Sequence, residues 1–131
     1  MSKPTNTMRT PLKSVRGLGS AKEGVQHWWI QRVTAVAMIP LLLVMLATVL
    51  CLAGADHAAV TAAFGNPLLA VIALLAILAL FWHMRLGLQV VIEDYIHTEG
   101  TKIAALLAVT FATFLVGGIA ALSVLKLFFG A

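Results

Sequence analysis

The chain has 131 residues, of which 61% are hydrophobic and only 11% are charged, and its mean hydropathy is +1.00. Soluble globular domains usually contain about 45–50% apolar and about 25% charged residues, so this composition excludes an ordinary soluble enzyme and indicates an integral membrane protein. The formal net charge is +4. Because the basic residues cluster next to the first apolar stretch, they are interpreted as a topology signal and not as a nucleic-acid interface.

Three apolar stretches are long enough to cross a bilayer. They run from Val33 to Ala53, from Leu68 to Ile92 and from Ile103 to Phe129, and each reaches the ~20 residues that a hydrocarbon layer demands of a helix. The predicted spans are roughly residues 28–53, 67–92 and 103–128, with the second beginning at the cap-and-proline pair Asn66-Pro67. The predicted fold is therefore all-α, a three-helix membrane bundle in a single domain over residues 1–131. The polar, basic N-terminal segment of this domain is expected to be extended or poorly ordered.

The distribution of positive charge predicts the orientation in the membrane. Five lysines and arginines precede residue 23 and Arg32 lies at the mouth of the first span, whereas the loop from Gly54 to Asn66 contains no lysine or arginine. The positive-inside rule then places the N-terminus in the cytoplasm and, after three spans, the C-terminus in the periplasm of a bacterial inner membrane. No cleavable signal peptide is visible, and Cys51, the only cysteine, is expected to be an apolar packing residue.

His83 lies near the middle of the second apolar stretch, and an ionisable residue within a membrane helix is a functional-site hypothesis by default. Asp94 follows eleven residues later; that spacing is three helical turns plus about 20°, so both side chains project from one face about 16 Å apart. The chemistry of His83 stays open among a metal ligand, a haem ligand and a proton relay. The alternative is a packing histidine bonded to a helix carbonyl or to a neighbouring span.

Three further residues, Gly87, Arg85 and Arg32, have two interpretations each. Gly87 lies one turn from His83, where a missing side chain lets either a bulky planar group or another helix approach. Arg85 is about 200° round the helix from His83 and deep for snorkelling, so it is expected to face protein or an anionic cofactor group. Arg32 lies close to an interfacial tryptophan pair and contacts either lipid phosphate or a specific anion.

Asp94 and Tyr95 are adjacent at the end of the second apolar stretch. They are either helix-end residues at the lipid headgroups or part of a binding site. In the second case the phenol donates a hydrogen bond to a carbonyl and the carboxylate orients partners or passes protons.

The segment from His83 to Tyr95, HMRLGLQVVIEDY, resembles the second span of the smaller hydrophobic anchor subunit of succinate dehydrogenase, respiratory complex II. In that family a haem-ligating histidine precedes an Asp-Tyr pair by the same spacing. The segment from Gly24 to Ala35, GVQHWWIQRVTA, is similar to the family's entry to its first span. Three spans and a cytoplasmic N-terminus agree as well, so the resemblance covers essentially the whole chain.

The resemblance implies a role for each site residue. His83 would be one axial ligand of a b-type haem, and the partner anchor subunit would supply the other histidine. Arg32 would face a haem propionate, Arg85 is a further propionate candidate, and Gly87 lies on the same cofactor face. Tyr95 would donate a hydrogen bond to a ubiquinone carbonyl, and Asp94 would hold a basic residue or a water beside it.

The implied assembly divides the work between subunits. A flavoprotein and an iron–sulfur protein would oxidise succinate and conduct electrons. This chain, with a second hydrophobic anchor of the cytochrome b type, would hold them at the membrane and contribute to the quinone site without being an enzyme alone. Two alternatives remain: a fumarate reductase anchor, and a structural or assembly membrane subunit that binds no cofactor.

Overall fold

The computed structural model describes residues 10–15 and 23–130. This part of the chain folds into helices without a strand. The helices are α1 (Pro11–Val15), α2 (Glu23–Cys51), α3 (His57–Phe64), α4 (Pro67–Tyr95) and α5 (Glu99–Phe129). Of these, α2, α4 and α5 are long and apolar enough to cross a membrane, which confirms the predicted all-α bundle of three spans. The N-terminal segment, predicted to be extended, contains the short helix α1 in its described part.

The three long helices extend beyond the predicted spans at one end of the bundle. Helix α2 begins at Glu23, α4 continues to Tyr95 and α5 begins at Glu99. The 29 residues of α4 correspond to roughly 43 Å, whereas the hydrocarbon layer is only about 30 Å thick. The predicted spans and the helices differ because polar residues mark the edge of the lipid and do not by themselves end a helix. This end of the molecule is called the Tyr95 end below.

Local caps set the other end of α4. The Asn66 side chain accepts hydrogen bonds from the backbone N–H groups of Leu68 and Leu69, at 2.9 and 3.4 Å, and Pro67 occupies the first turn. A proline there loses no intrahelical hydrogen bond, because the first N–H groups of a helix have no partner. The predicted start of the second span is therefore confirmed.

A short helix in the loop between the first two spans was not predicted. Helix α3 begins after Asp56, whose carboxylate accepts a hydrogen bond from the Ala59 N–H at 2.9 Å. Its last residue, Phe64, packs against a small core formed by Ala70 and Ala73 of α4 and Val124 of α5. The signal was present in the sequence as an aspartate cap before an alanine-rich run.

Helix α4 lies between α2 and α5 and contacts both. Small residues allow this close approach, as is usual between membrane helices. A methyl group added at Gly117 of α5 would lie 3.1 Å from the ring of Phe81 on α4. The central position of α4 means that its two sides face different neighbours, and this decides where its polar side chains are directed.

Candidate functional site

The His83 imidazole contacts the first span. Its Nδ1 lies 3.1 Å from the hydroxyl oxygen of Thr34 on α2. The same hydroxyl lies 2.9 Å from the Ile30 carbonyl and 3.1 Å from the Gln31 carbonyl. A threonine hydroxyl has one proton and two acceptor lone pairs. When the hydroxyl proton is directed to one of these carbonyls, Nδ1–H of His83 donates to the Thr34 oxygen, and the Nε2 lone pair is then available to a ligand.

Thr34 is a site residue that sequence reasoning did not single out. It belongs to the first-span segment that resembles the family, but a threonine in an apolar helix is commonly bonded to its own backbone and gives no signal of a site. A histidine that ligates a metal normally donates its other ring N–H to an acceptor that fixes the tautomer and the ring orientation. Thr34 occupies the position of such an acceptor.

The contact between Thr34 and His83 also relates the level of the histidine on α4 to that of Arg32 on α2. Thr34 lies two residues inside Arg32, or about 3 Å along the axis of α2. On α4, His83 is sixteen residues from Pro67, or about 24 Å, which leaves roughly 6 Å of a 30 Å hydrocarbon layer beyond it. If the hydrocarbon layer begins at Pro67, His83 lies within about one to two turns of its edge at the Tyr95 end.

An apolar groove runs along α2 beside His83. The groove has a volume of about 400 Å³ and is open to the outside of the chain. Its other lining residues are Ala35, Met38, Ile39, Leu42, Leu43 and Leu46. An imidazole with a free lone pair at the edge of an apolar groove has the chemistry of an axial haem ligand.

Arg32 lies at the Tyr95 end of this groove. It precedes Ala35 by three residues and Ile39 by seven, spacings that place it on the same side of α2. The guanidinium is 5.0 Å from the centroid of the Trp28 ring, and among the described residues no carboxylate forms an ion pair with it. An anionic group held in the groove with its charged edge at the membrane surface therefore meets a cation there.

Gly87 lies next to the first span. A methyl group added at Gly87 would meet the Gln31 side-chain amide of α2 at 3.7 Å, an ordinary van der Waals distance. An alanine would therefore fit here without a clash, and both interpretations of Gly87 stay open.

Arg85 points away from His83. Its Nε donates a hydrogen bond to the Thr110 hydroxyl of α5 at 3.4 Å, and its guanidinium lies 5.8 Å from the centroid of the Trp82 ring. His83 contacts α2, so the two side chains leave α4 on opposite sides, as their spacing of about 200° predicts. The structure does not bring Arg85 to the groove.

Asp94 and Tyr95 lie at the last turn of α4, and both are exposed. Tyr95 is 81% exposed. Asp94 projects from nearly the same side of α4 as His83, whereas Tyr95 is a further 100° round the helix. Within the described part of the chain neither side chain has a hydrogen-bond partner, so both are available to a neighbouring molecule.

His27 is a second histidine on the face of α2 that carries Thr34. The two are seven residues apart, about two helical turns. The His27 Nε2 is buried and has no hydrogen-bond partner. A buried polar atom without a partner is costly within a protein, and the described residues do not supply a hydrogen bond to this nitrogen.

The chain matches known proteins over most of its length. The family model described as succinate dehydrogenase/fumarate reductase transmembrane subunit matches residues 6–117. A succinate dehydrogenase hydrophobic membrane anchor subunit from Paracoccus denitrificans is 35% identical over 102 residues, covering 78% of this chain and 79% of the relative. The corresponding subunit from Rickettsia bellii (strain RML369-C) is 31% identical over 105 residues, covering 80% and 84%. No solved structure gives a significant match.

A third relative, the succinate dehydrogenase membrane anchor subunit of Reclinomonas americana, is 33% identical over 88 residues, which is 65% of this chain and 73% of the relative. The chain therefore belongs to the succinate dehydrogenase/fumarate reductase transmembrane subunit family, and within it to the succinate dehydrogenase membrane anchors. It is a multi-pass membrane protein that works as one subunit of a larger complex.

Proposed function

We propose that this chain is the anchor subunit of a succinate:ubiquinone oxidoreductase and supplies one axial ligand, His83, to a b-type haem shared with a second anchor subunit. The observation that carries the proposal is the hydrogen bond between His83 Nδ1 and Thr34 at 3.1 Å. When Nδ1–H is the donor, the Nε2 lone pair is free beside an apolar groove. A free imidazole nitrogen next to such a groove supports the ligand role.

The residues present fit a haem. His83 Nε2 would bind the iron and the aliphatic side chains of α2 would exclude water from the macrocycle. Arg32 would form an ion pair with a propionate. The bound haem would supply one-electron redox chemistry. Because the groove is open on one side, a helix of the second anchor would close it and provide the other axial histidine.

The quinone site is proposed at the Tyr95 end of α4. Tyr95 would donate a hydrogen bond to a ubiquinone carbonyl, and Asp94 would orient a basic residue or a water next to it. Both side chains are exposed in this chain, so the remaining walls would come from the second anchor and the iron–sulfur subunit. A flavoprotein bound to the iron–sulfur subunit would oxidise succinate. This anchor would act on the quinone only within that assembly.

The proposed location is the bacterial inner membrane, with the N-terminus in the cytoplasm and the C-terminus in the periplasm. The support is the excess of lysine and arginine before α2 and their absence from the loop between α2 and α4. The Tyr95 end then faces the cytoplasm. The longer helices at this end would project roughly 13 Å beyond the hydrocarbon layer, toward the soluble subunits.

Two experiments on the purified complex test the proposal. Affinity purification through a tag on this chain should recover a flavoprotein, an iron–sulfur protein and a second small hydrophobic subunit. A reduced-minus-oxidised spectrum should then show a b-type haem. A complex that contains the soluble subunits but no haem would contradict the ligand role. Comparison of succinate oxidation with fumarate reduction, using a quinone and a quinol respectively, distinguishes this function from that of a fumarate reductase anchor.

A further inference from the structure

We propose that the cleft between α4 and α5 binds one anionic phospholipid, with the phosphate on the Arg85 guanidinium and an acyl chain in the apolar cavity below it. This cleft lies on the side of α4 opposite to the His83 groove. The proposal is independent of the haem and quinone roles, because it rests on other residues and on another pair of helices.

Two cavities meet at Arg85. The one toward the Tyr95 end has a volume of about 130 Å³ and is lined by Arg85, Gln89 and Thr110 together with two aliphatic side chains. The one toward the opposite end has a volume of about 190 Å³ and a largely apolar lining that includes Leu78, Phe114 and Gly118. A polar chamber above an apolar one, with a cation between them, matches the order of headgroup, phosphate and acyl chain in a phospholipid.

The charge of Arg85 has no counterion within the described part of the chain. Its contacts there are the neutral Thr110 hydroxyl and the Trp82 ring, and the one ion pair among these residues joins Lys102 to Glu99. A guanidinium next to hydrocarbon is costly unless an anion or water compensates it. Arginine binds phosphate through two parallel N–H donors, so a lipid phosphate satisfies both the charge and the geometry.

The level of Arg85 in the membrane agrees with a phosphate position. Arg85 is eighteen residues from Pro67, or about 27 Å, so it lies roughly 3 Å inside a 30 Å hydrocarbon layer. Its side chain extends toward the Tyr95 end into the polar chamber, where a phosphate of the adjacent leaflet meets it. From Arg85 to Ile77 the apolar cavity follows α4 for about 12 Å, the direction in which an acyl chain enters the bilayer.

The glycine pair of α5 keeps the apolar cavity open. Gly117 contacts Phe81, whereas nothing lies within 4 Å of a methyl group added at Gly118. Gly118 lines the cavity, so a larger side chain there would enter the space assigned to the acyl chain without displacing a neighbouring helix. This position offers a steric test that leaves Arg85 intact.

The experiment uses the whole complex purified in mild detergent and delipidated by washing. The retained anionic phospholipid is counted by native mass spectrometry and by lipid extraction. Two variants, Arg85→Gln and Gly118→Leu, should each lose one anionic phospholipid per complex. In Arg85→Gln the loss of a charge-assisted hydrogen bond should weaken lipid retention at least roughly tenfold. Arg85→Lys should retain part of the binding. Lys102→Gln removes a cation at the same end of α5 outside the cleft and should leave the count unchanged.

Adding lipid or inorganic phosphate back to the delipidated complex distinguishes the two possible sources of the phosphate group. Vesicles of phosphatidylcholine with one-fifth phosphatidylglycerol should restore the thermal stability of the delipidated complex, whereas phosphatidylcholine alone or inorganic phosphate should not. Equal lipid counts in Arg85→Gln, Gly118→Leu and the unmodified complex would overturn the proposal. Full restoration of thermal stability by inorganic phosphate would also overturn it. A third contradicting result is an Arg85→Gln complex that loses another subunit but keeps its lipid count, because the counterion of Arg85 would then be a carboxylate of that subunit.

Discussion

The hydroxyl of Thr34 lies 3.1 Å from Nδ1 of His83 and joins the first two spans close to the cytoplasmic edge proposed for the membrane. The contact links α2 to α4, and an Nδ1–H that donates to Thr34 leaves Nε2 free for a ligand. A threonine to valine change keeps the shape of the side chain and deletes the acceptor. Thr34 therefore provides a test of the site that does not remove the proposed ligand itself.

Thr34→Val should lower haem affinity by about ten- to a hundredfold, the usual cost of losing the acceptor of a ligating histidine. Haem content per complex and the midpoint potential from a redox titration measure this effect. Thr34→Ser retains the hydroxyl and should restore both values. Identical haem content and potential in Thr34→Val and the unmodified complex would show that the hydrogen bond has no influence on a haem.

Gly117→Ala and Gly87→Ala should differ in their effect on stability. The new methyl group at Gly117 lies 3.1 Å from Phe81, whereas the one at Gly87 meets Gln31 at 3.7 Å. Overpacking costs typically 1–3 kcal/mol, so Gly117→Ala should lower the thermal midpoint of the purified complex. Gly87→Ala should leave both the midpoint and the haem content unchanged. Loss of haem in Gly87→Ala would instead support a macrocycle lying on Gly87.

Tyr95→Phe should reduce ubiquinone-dependent turnover at least several-fold while the complex still assembles. The change keeps the ring and deletes one donor, whose bond to a neutral acceptor is worth about 0.5–1.5 kcal/mol and more if charge develops on the quinone oxygen. Succinate oxidation with an artificial acceptor that draws electrons from the soluble subunits is the control and should persist. Unaltered ubiquinone reduction with unaltered haem content would make Tyr95 an interfacial aromatic only.

Reporter fusions test the orientation. A reporter joined after Ala131 and one inserted after Gly54, in the loop between α2 and α3, should both be active only in the periplasm. Gly54 is exposed and has a positive φ of 81°, so an insertion there avoids helix α3. Cytoplasmic activity at either site would refute the three-span arrangement with a cytoplasmic N-terminus.

The sequence predicted the spans, the start of α4 and the opposite directions of His83 and Arg85, because these depend on local composition, caps and helical periodicity. It missed the contact between Thr34 and His83 and the proximity of Gln31 to Gly87. Each of these depends on the register between α2 and α4. The hydrophobic pattern does not fix that register, since all three long helices are apolar on most sides.

The direct test of the account is the haem spectrum of a complex in which residue 83 has no side chain. In His83→Gly the reduced-minus-oxidised b-type signal should be lost or strongly diminished, because the iron loses one of its two axial bonds. Added imidazole should restore part of it by entering the space left by the ring. His57→Gly, which removes a histidine at the other end of the bundle, should retain the full signal. An assembled His83→Gly complex with an unchanged b-type signal in the absence of imidazole would contradict the ligand assignment.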